Sequence, residues 1–513
     1  MQFWELILQF PGAFNYKNSM KKISILLILL MSLMSSAQNL NLSKQLIKNY
    51  EKSFIDKDFS SMEKLISDKF TIGVYQRPST DMMLKSILNK YYPLDSLQFL
   101  DEEKAGGIKT IKVKYFFKGQ KATISNVVVN NDNKIQYVDL FDKLYRIDRY
   151  VPSKKIASIP FEVINGSIVL KIKLNDSDEE FKMLFDTGAD GMALNETAAS
   201  KANIKNVENR STGVVGAKVN VKFSSGNTIH VGGIAIKNQN LVVFSKVRGG
   251  FDGLFGGNFL SKYITSVNFD TKRIELFTFG MFDYEVGGSI LPISYATQLP
   301  IVNATLNFNN HKRFEGEFVF DTGADYNVIV FGPSVEKNNL EDGLPVAYQA
   351  TNYSFGHQTG IKIGDVTSID LDNSSLKNVP IALQEFQEDN KDWSSHDGSI
   401  GISVISKFNF IVNVLDKQIY LKPNESFNKP FDFVLKGVKF GFTNTDELIV
   451  KEFIQGTKAK QLGVSLGDSV ATINDYSSAE LLNTDKVEEL KNSKEKEYII
   501  IITEEHSSKR IKL

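Results

Sequence analysis

Cysteine does not occur in the 513 residues. Disulfides, thiolate metal sites, a cysteine nucleophile and a lipid-bearing N-terminal cysteine are thereby excluded together. Histidine occurs five times, at His230, His311, His357, His396 and His506, with no HExxH or paired spacing. That scatter argues against a histidine metal site, and no metal and no cofactor is expected. Excess charge of either sign is also missing: Lys+Arg 60 balance Asp+Glu 60. A nucleic-acid binder carries a clustered basic surface, so nucleic acid is not expected as a partner. Hydrophobic residues at 42% and charged residues at 23% are globular values, which excludes global disorder. The length suggests roughly three or four domains.

One apolar run stands out, near the N-terminus. Met20-Lys21-Lys22 gives a positive start, Ile23 to Leu33 is apolar apart from Ser24 and Ser32, and Ser35-Ser36-Ala37 supplies small residues. This predicts a secretory signal peptide over residues 1–37, cut after Ala37. The run is well short of the ~20 residues that span a bilayer. Residues 1–19 hold no basic residue before Lys17, so translation is expected to start at Met20. The chain is therefore expected to be exported, periplasmic or secreted, not a lipoprotein, and without a membrane span once the signal is removed.

Residues 38–150 read as an α+β accessory domain. Leu46, Ile47, Tyr50 and Phe54, then Met62, Leu65 and Ile66, recur at three- and four-residue steps, which predicts two helices. Asp58 or Ser60 offers a cap between them. A third helix is expected over Asp81–Lys90. After Pro93 the period switches to two, with Ile111, Val113 and Tyr115 alternating with lysines, and strands are expected over Lys121–Val129 and Lys134–Leu140. Helices followed by a meander resemble the cone-shaped fold of the nuclear-transport-factor and ketosteroid-isomerase type, by pattern alone.

From about Ile156 to Pro423 the chain reads as strands and turns, and it repeats. Phe181 to Asp190 ends in Asp186-Thr187-Gly188-Ala189-Asp190, and Phe314 to Asp325 ends in Asp321-Thr322-Gly323-Ala324-Asp325, at an offset of 135. Downstream, Asp252-Gly253-Leu254-Phe255-Gly256 pairs with Asp397-Gly398-Ser399-Ile400-Gly401 at an offset of 145, which continues through Val267-Asn268 and Val412-Asn413. Two copies of one β unit imply a pseudo-twofold pair of lobes, residues 151–283 and 284–424.

A single Asp-Thr-Gly is weak evidence. Two copies, each ending an apolar strand, each followed by Ala-Asp and each paired with a later hydrophobic-Gly motif, are specific. They resemble the aspartic proteases. Asp-Thr-Gly-Ala-Asp looks like the retroviral type, with both lobes in one chain as in the pepsin type. The resemblance implies a mainly β, two-lobed core in which each lobe gives one catalytic Asp, Asp186 and Asp321. Thr187 and Thr322 would bond across the twofold axis and support the catalytic loops, and Gly188 and Gly323 would leave room for substrate backbone. Ala189, Asp190, Ala324 and Asp325 would bind substrate, with the two Asp accepting peptide N–H groups or stabilising their loops. Gly213-Val214-Val215-Gly216 and Tyr353-Ser354-Phe355-Gly356 are candidate flaps. Retroviral enzymes carry an Arg beside the Gly of the second motif. Gly257 and Ile402 stand there instead, so the brace must differ.

The residue types suit the chemistry. Hydrolysis without a metal or a nucleophilic side chain needs an activated water, one carboxylate to take its proton and another acid to give one. The expected activity is an exported aspartic endopeptidase acting on peptides or proteins; the alternative is a peptide-binding protein that grips extended chains without cleaving them.

Residues 430–513 change character. Phe440-Gly441-Phe442, the strand Leu448–Phe453, and the spacing of Gly463, Gly467-Asp468 and Asn474 resemble a PDZ domain. The resemblance implies a loop at Phe440, Gly441 and Phe442 that holds a chain-terminal carboxylate. A C-terminal peptide ligand and a role in substrate recruitment are expected from it.

Overall fold

The computed structural model describes residues 40–90, 93–214, 217–245, 247–354, 357–387, 395–493, 497–504 and 507–513. The expected signal peptide lies outside these residues, as do Val215, Gly216, Phe355 and Gly356 of the two candidate flaps. The chain is mainly β and divides into two compact units between Arg149 and Tyr150. Among the described residues no helix is long and apolar enough to cross a membrane.

In the first unit, residues 40–55 are helical and bury Leu46, Ile47, Tyr50 and Phe54. Asp58 caps the next helix, Phe59–Glu63, by accepting from the Ser61 N–H at 3.1 Å. Its side-chain oxygen satisfies one of the donors that a helix start leaves open. Helix Ser79–Lys90 follows, then an antiparallel sheet in sequence order: Leu94–Ala105, Ile108–Phe117, Thr123–Val129 and Ile135–Val138. Helices and sheet share one core around Tyr50, Phe54, Ile111 and Tyr115. The strand expected to reach Leu140 stops at Val138, where helix Asp139–Leu144 begins. Asp139 and Asp142 in its first turn complement the positive helix start, and Asp142 also accepts from the Gly73 N–H and the Arg149 Nε, both at 2.6 Å. Gly73 is remote in sequence, and Arg149 lies beyond the end of the helix, so periodicity registers neither.

In the second unit the two sequence copies fold alike. In the first, the sheet order runs Val207–Val214, Ala217–Val231, Ile234–Phe244, Met192–Asn195, Gly253–Phe255, Phe181–Phe185, Ser167–Leu174. In the second it runs Val346–Ser354, His357–Leu371, Ser374–Gln384, Val328–Val330, Gly398–Ile400, Arg313–Phe320, Ile301–Asn307. Each sheet curls back on itself, through Ile229↔Leu174 and Leu306↔Ile369.

Six strands then join the copies. Lys155–Pro160, Arg273–Phe277 and Ile264–Asn268 flank the first copy; Phe408–Asn413, Gln418–Pro423 and Ser289–Ser294 belong to the second. They meet at the centre through Thr265↔Val412 and Val267↔Phe410.

The C-terminal sheet has the order Phe433–Leu435, Val438–Phe442, Leu448–Phe453, Ser469–Ile473, Ile499–Glu504, Ser507–Lys512. The expected carboxylate loop is a strand. Phe440, Gly441 and Phe442 form no open carboxylate loop but lie inside strand Val438–Phe442, and Phe440 pairs with Phe433 on one side and Val450 on the other. Phe440 is fully buried and stacks on Phe433 at 5.7 Å. The cause is local: Lys436 and Gly437 both take positive φ, 51° and 75°. That two-residue turn suits a tight hairpin and folds Phe433–Leu435 onto the edge a peptide would need.

Candidate active site

Each Asp-Thr-Gly follows a buried strand that runs parallel to the strand of the later motif: Phe185 beside Phe255 and Phe320 beside Ile400. Asp186 N–H donates to the Phe255 carbonyl at 3.1 Å and Asp321 N–H to the Ile400 carbonyl at 2.9 Å. Strand ends thus aim both carboxylates at one place.

The two loops interlock through their threonines, both fully buried. Thr187 N–H donates to Thr322 Oγ1 and Thr322 N–H to Thr187 Oγ1, each at 3.0 Å. The hydroxyls in turn donate across: Thr322 to the Phe185 carbonyl at 2.8 Å, and Thr187 to the Phe320 carbonyl. Every buried donor in this knot has an acceptor, which a low-dielectric site requires.

Gly188 N–H donates to Asp186 Oδ1 and Gly323 N–H to Asp321 Oδ1, both at 2.9 Å. A Cβ on Gly188 would overlap the Asp321 carboxyl, and one on Gly323 would overlap the Asp186 carboxyl. The absence of a Cβ at each glycine therefore makes room for the opposite Asp.

Asp186 and Asp321 lie within hydrogen-bonding reach of each other. Burial raises both carboxyls above the ordinary carboxylate range; on Asp186 the Asp321 charge pushes further the same way, and Asp186 stands well above it. The Gly N–H groups pull in the opposite direction without reversing the rise. Two adjacent, half-buried carboxyls cannot both ionise cheaply, so the pair shares one proton.

The later motifs brace these loops with backbone alone. Gly257 N–H donates to the Ala189 carbonyl at 2.9 Å and Ile402 N–H to the Ala324 carbonyl at 2.8 Å, so no side chain is needed where retroviral enzymes carry Arg. Asp190 and Asp325 occupy equivalent exposed positions beyond the dyad.

Asp252, Asp397 and Tyr326 take roles that the sequence pattern does not assign. Asp252 accepts from Lys182 N–H and Asp397 from Glu317 N–H, both at 2.8 Å, pinning each later motif to its Asp-bearing strand. Their repetition in the sequence was visible, their bonding was not. Tyr326 follows Asp325; burial, then Asp321, raises its phenol, which hydrogen-bonds with Ser399. The corresponding residue of the first copy is Gly191, beside which space is open. Phe440, Gly441 and Phe442 belong to the C-terminal sheet core rather than to this site.

Residues 170–259 match the aspartyl protease family model. The matched stretch holds Asp186 and the Gly256 motif; Asp321 lies beyond it and enters through the threonine knot. No curated protein matches the chain.

Proposed function

We propose that the chain is an exported aspartic endopeptidase whose two lobes, residues 151–283 and 284–424, each contribute one carboxylate to a shared dyad. The reading rests on one observation above all: Asp186 and Asp321 meet where Thr187 and Thr322 bond reciprocally. A peptide carbonyl seated at the dyad meets one neutral and one ionised carboxyl. The ionised member of the pair takes a proton from the attacking water while the neutral member donates its own to the carbonyl oxygen. As the tetrahedral intermediate collapses, the amine leaves with a proton and the dyad returns to its one-proton state.

No metal or nucleophilic side chain is required for this sequence of steps. Nor is recruitment through a carboxylate loop part of the proposal, because the chain's own Phe433–Leu435 strand fills that edge. Export rests on the Met20–Ala37 pattern. Digestion of a peptide library, with and without a statine-type inhibitor that mimics the tetrahedral intermediate, tests the activity. Inhibitor-sensitive cleavage is expected. Peptide binding without any cleavage would favour the non-catalytic alternative.

A further inference from the structure

The C-terminal sheet is held against the second copy at the root of its long hairpin, formed by strands Val346–Ser354 and His357–Leu371. The connection begins at Lys407, only 6% exposed. Its Nζ donates to the Ser426 carbonyl at 3.0 Å and the Lys429 carbonyl at 2.6 Å, and it lies 4.9 Å from the Phe431 ring centre. Phe408 meets Phe427 edge-on at 5.3 Å. The segment leading into the C-terminal sheet is thereby tied to the lobe it leaves.

An ion pair then reaches the hairpin itself. Lys491, on helix Thr484–Lys491, pairs with Asp365. Asp365 sits one residue past Gly364, which pairs with Val346 at the last rung of the hairpin. Both side chains of this ion pair are more than two-thirds covered, at 22% and 28% exposed. Half-buried pairs of this kind are screened less than surface pairs. On the neighbouring strand, Tyr348 lies within electrostatic range of Lys439, which pairs with Glu452. Leu376 and Lys377, on strand Ser374–Gln384, share with Leu482 and Thr484 the lining of a cavity of about 630 Å³. In the hairpin of the first copy, Val207–Val214 with Ala217–Val231, Lys222 pairs with Glu196 at 3.6 Å, and the equivalent Lys362 of the second hairpin pairs with Glu341 at 2.7 Å; both of these pairs stay within their own copy, unlike Asp365–Lys491.

We infer that the C-terminal domain positions the second hairpin through Asp365–Lys491, making it a structural part of the peptide-cleaving unit rather than a docking module. Asp365 and Lys491 are positioning residues: they touch neither substrate nor dyad and act by fixing where the hairpin leaves its sheet. The effect on catalysis rests on the peptidase reading above, in which the hairpins of the two copies border the substrate. A misplaced hairpin weakens substrate binding more than it alters the dyad.

The test uses the full chain with Lys491→Met, Asp365→Asn, and the exchange Lys491→Asp with Asp365→Lys. Amide hydrogen exchange is followed in residues 346–371 and, as the internal control, in 207–231; kcat and KM are measured on a short peptide. Each single variant is expected to speed exchange in 346–371 alone and to raise KM about 3- to 10-fold with kcat little changed. The exchanged pair is expected to recover both. Unchanged exchange in 346–371, equal acceleration in the two hairpins, or failure of the exchanged pair to recover overturns the inference. If the wild-type chain cleaves no peptide, the peptidase reading fails while the exchange data still decide the brace.

Discussion

Thr187 and Thr322 each donate a backbone N–H to the other's hydroxyl at 3.0 Å, 135 residues apart in the chain. This reciprocal pair converts two separate strand ends into one rigid platform. Replacing Thr187 by Val strands the Thr322 N–H and the Phe320 carbonyl in a dry interior. Each unsatisfied group costs roughly 1–3 kcal/mol. Thr187→Val is therefore expected to lower stability by that order in urea unfolding and to depress kcat, while Thr187→Ser keeps the hydroxyl and recovers most of both.

The residue after each Asp-Thr-Gly is Ala189 or Ala324, and neither can donate a hydroxyl to the adjacent carboxylate. A donor there would stabilise the ionised form and lower its pKa. Without one, the dyad holds its shared proton to higher pH. Activity is expected to peak at weakly acidic pH, and Ala189→Ser with Ala324→Ser is expected to move the acid limb of the pH–rate profile downward. An optimum in strongly acid solution for the wild-type chain would contradict this.

Stability should carry the same signature. Asp186 is raised in the folded state, by burial first and by Asp321 second, above the ordinary value of about 3.9 for an unfolded Asp. A raised acid stabilises the fold fully below its unfolded pKa, and that contribution is lost as pH rises through the folded value. Asp186→Asn, which cannot ionise, is thus expected to have the higher Tm near neutrality. The difference should vanish toward pH about 4. Thermal unfolding of both proteins across that range is the measurement.

Much of this was legible in the sequence. The repeated Asp-Thr-Gly-Ala-Asp and the two later Gly motifs located both halves of the site, because each motif is local and its spacing survives in both copies. The helices around Tyr50 and Phe54 and the Asp58 cap were equally local. Harder to read were features set by distant partners. Gly188 is small because Asp321, from the other copy, lies against it. Strand Ile135–Val138 gives way to a helix whose Asp142 answers Gly73 and Arg149. The Phe440–Phe442 stretch keeps the composition of a binding loop, yet the turn at Lys436-Gly437 brings Phe433 across it.

Tyr326 makes the two sides of the dyad unequal, since Gly191 stands in the equivalent place. With its phenol hydrogen-bonded to Ser399 and electrostatically coupled to Asp321, it limits the space beside the second Asp. Tyr326→Phe is expected to preserve the shape and change kcat little. Tyr326→Gly is expected to admit bulkier side chains on that side, seen as a changed cleavage-site preference in a peptide library. An unchanged preference would show that Tyr326 does not border the substrate.

The most direct measurement is peptide cleavage by the wild-type chain, Asp186→Asn, Asp321→Asn and the double variant, each checked for folding by circular dichroism. A dyad acts as one unit, so single losses are expected to cost nearly as much as both together. The account predicts that each single variant loses about 10²- to 10⁴-fold in kcat and that the double variant is no worse. Near-normal turnover by either folded single variant would contradict it.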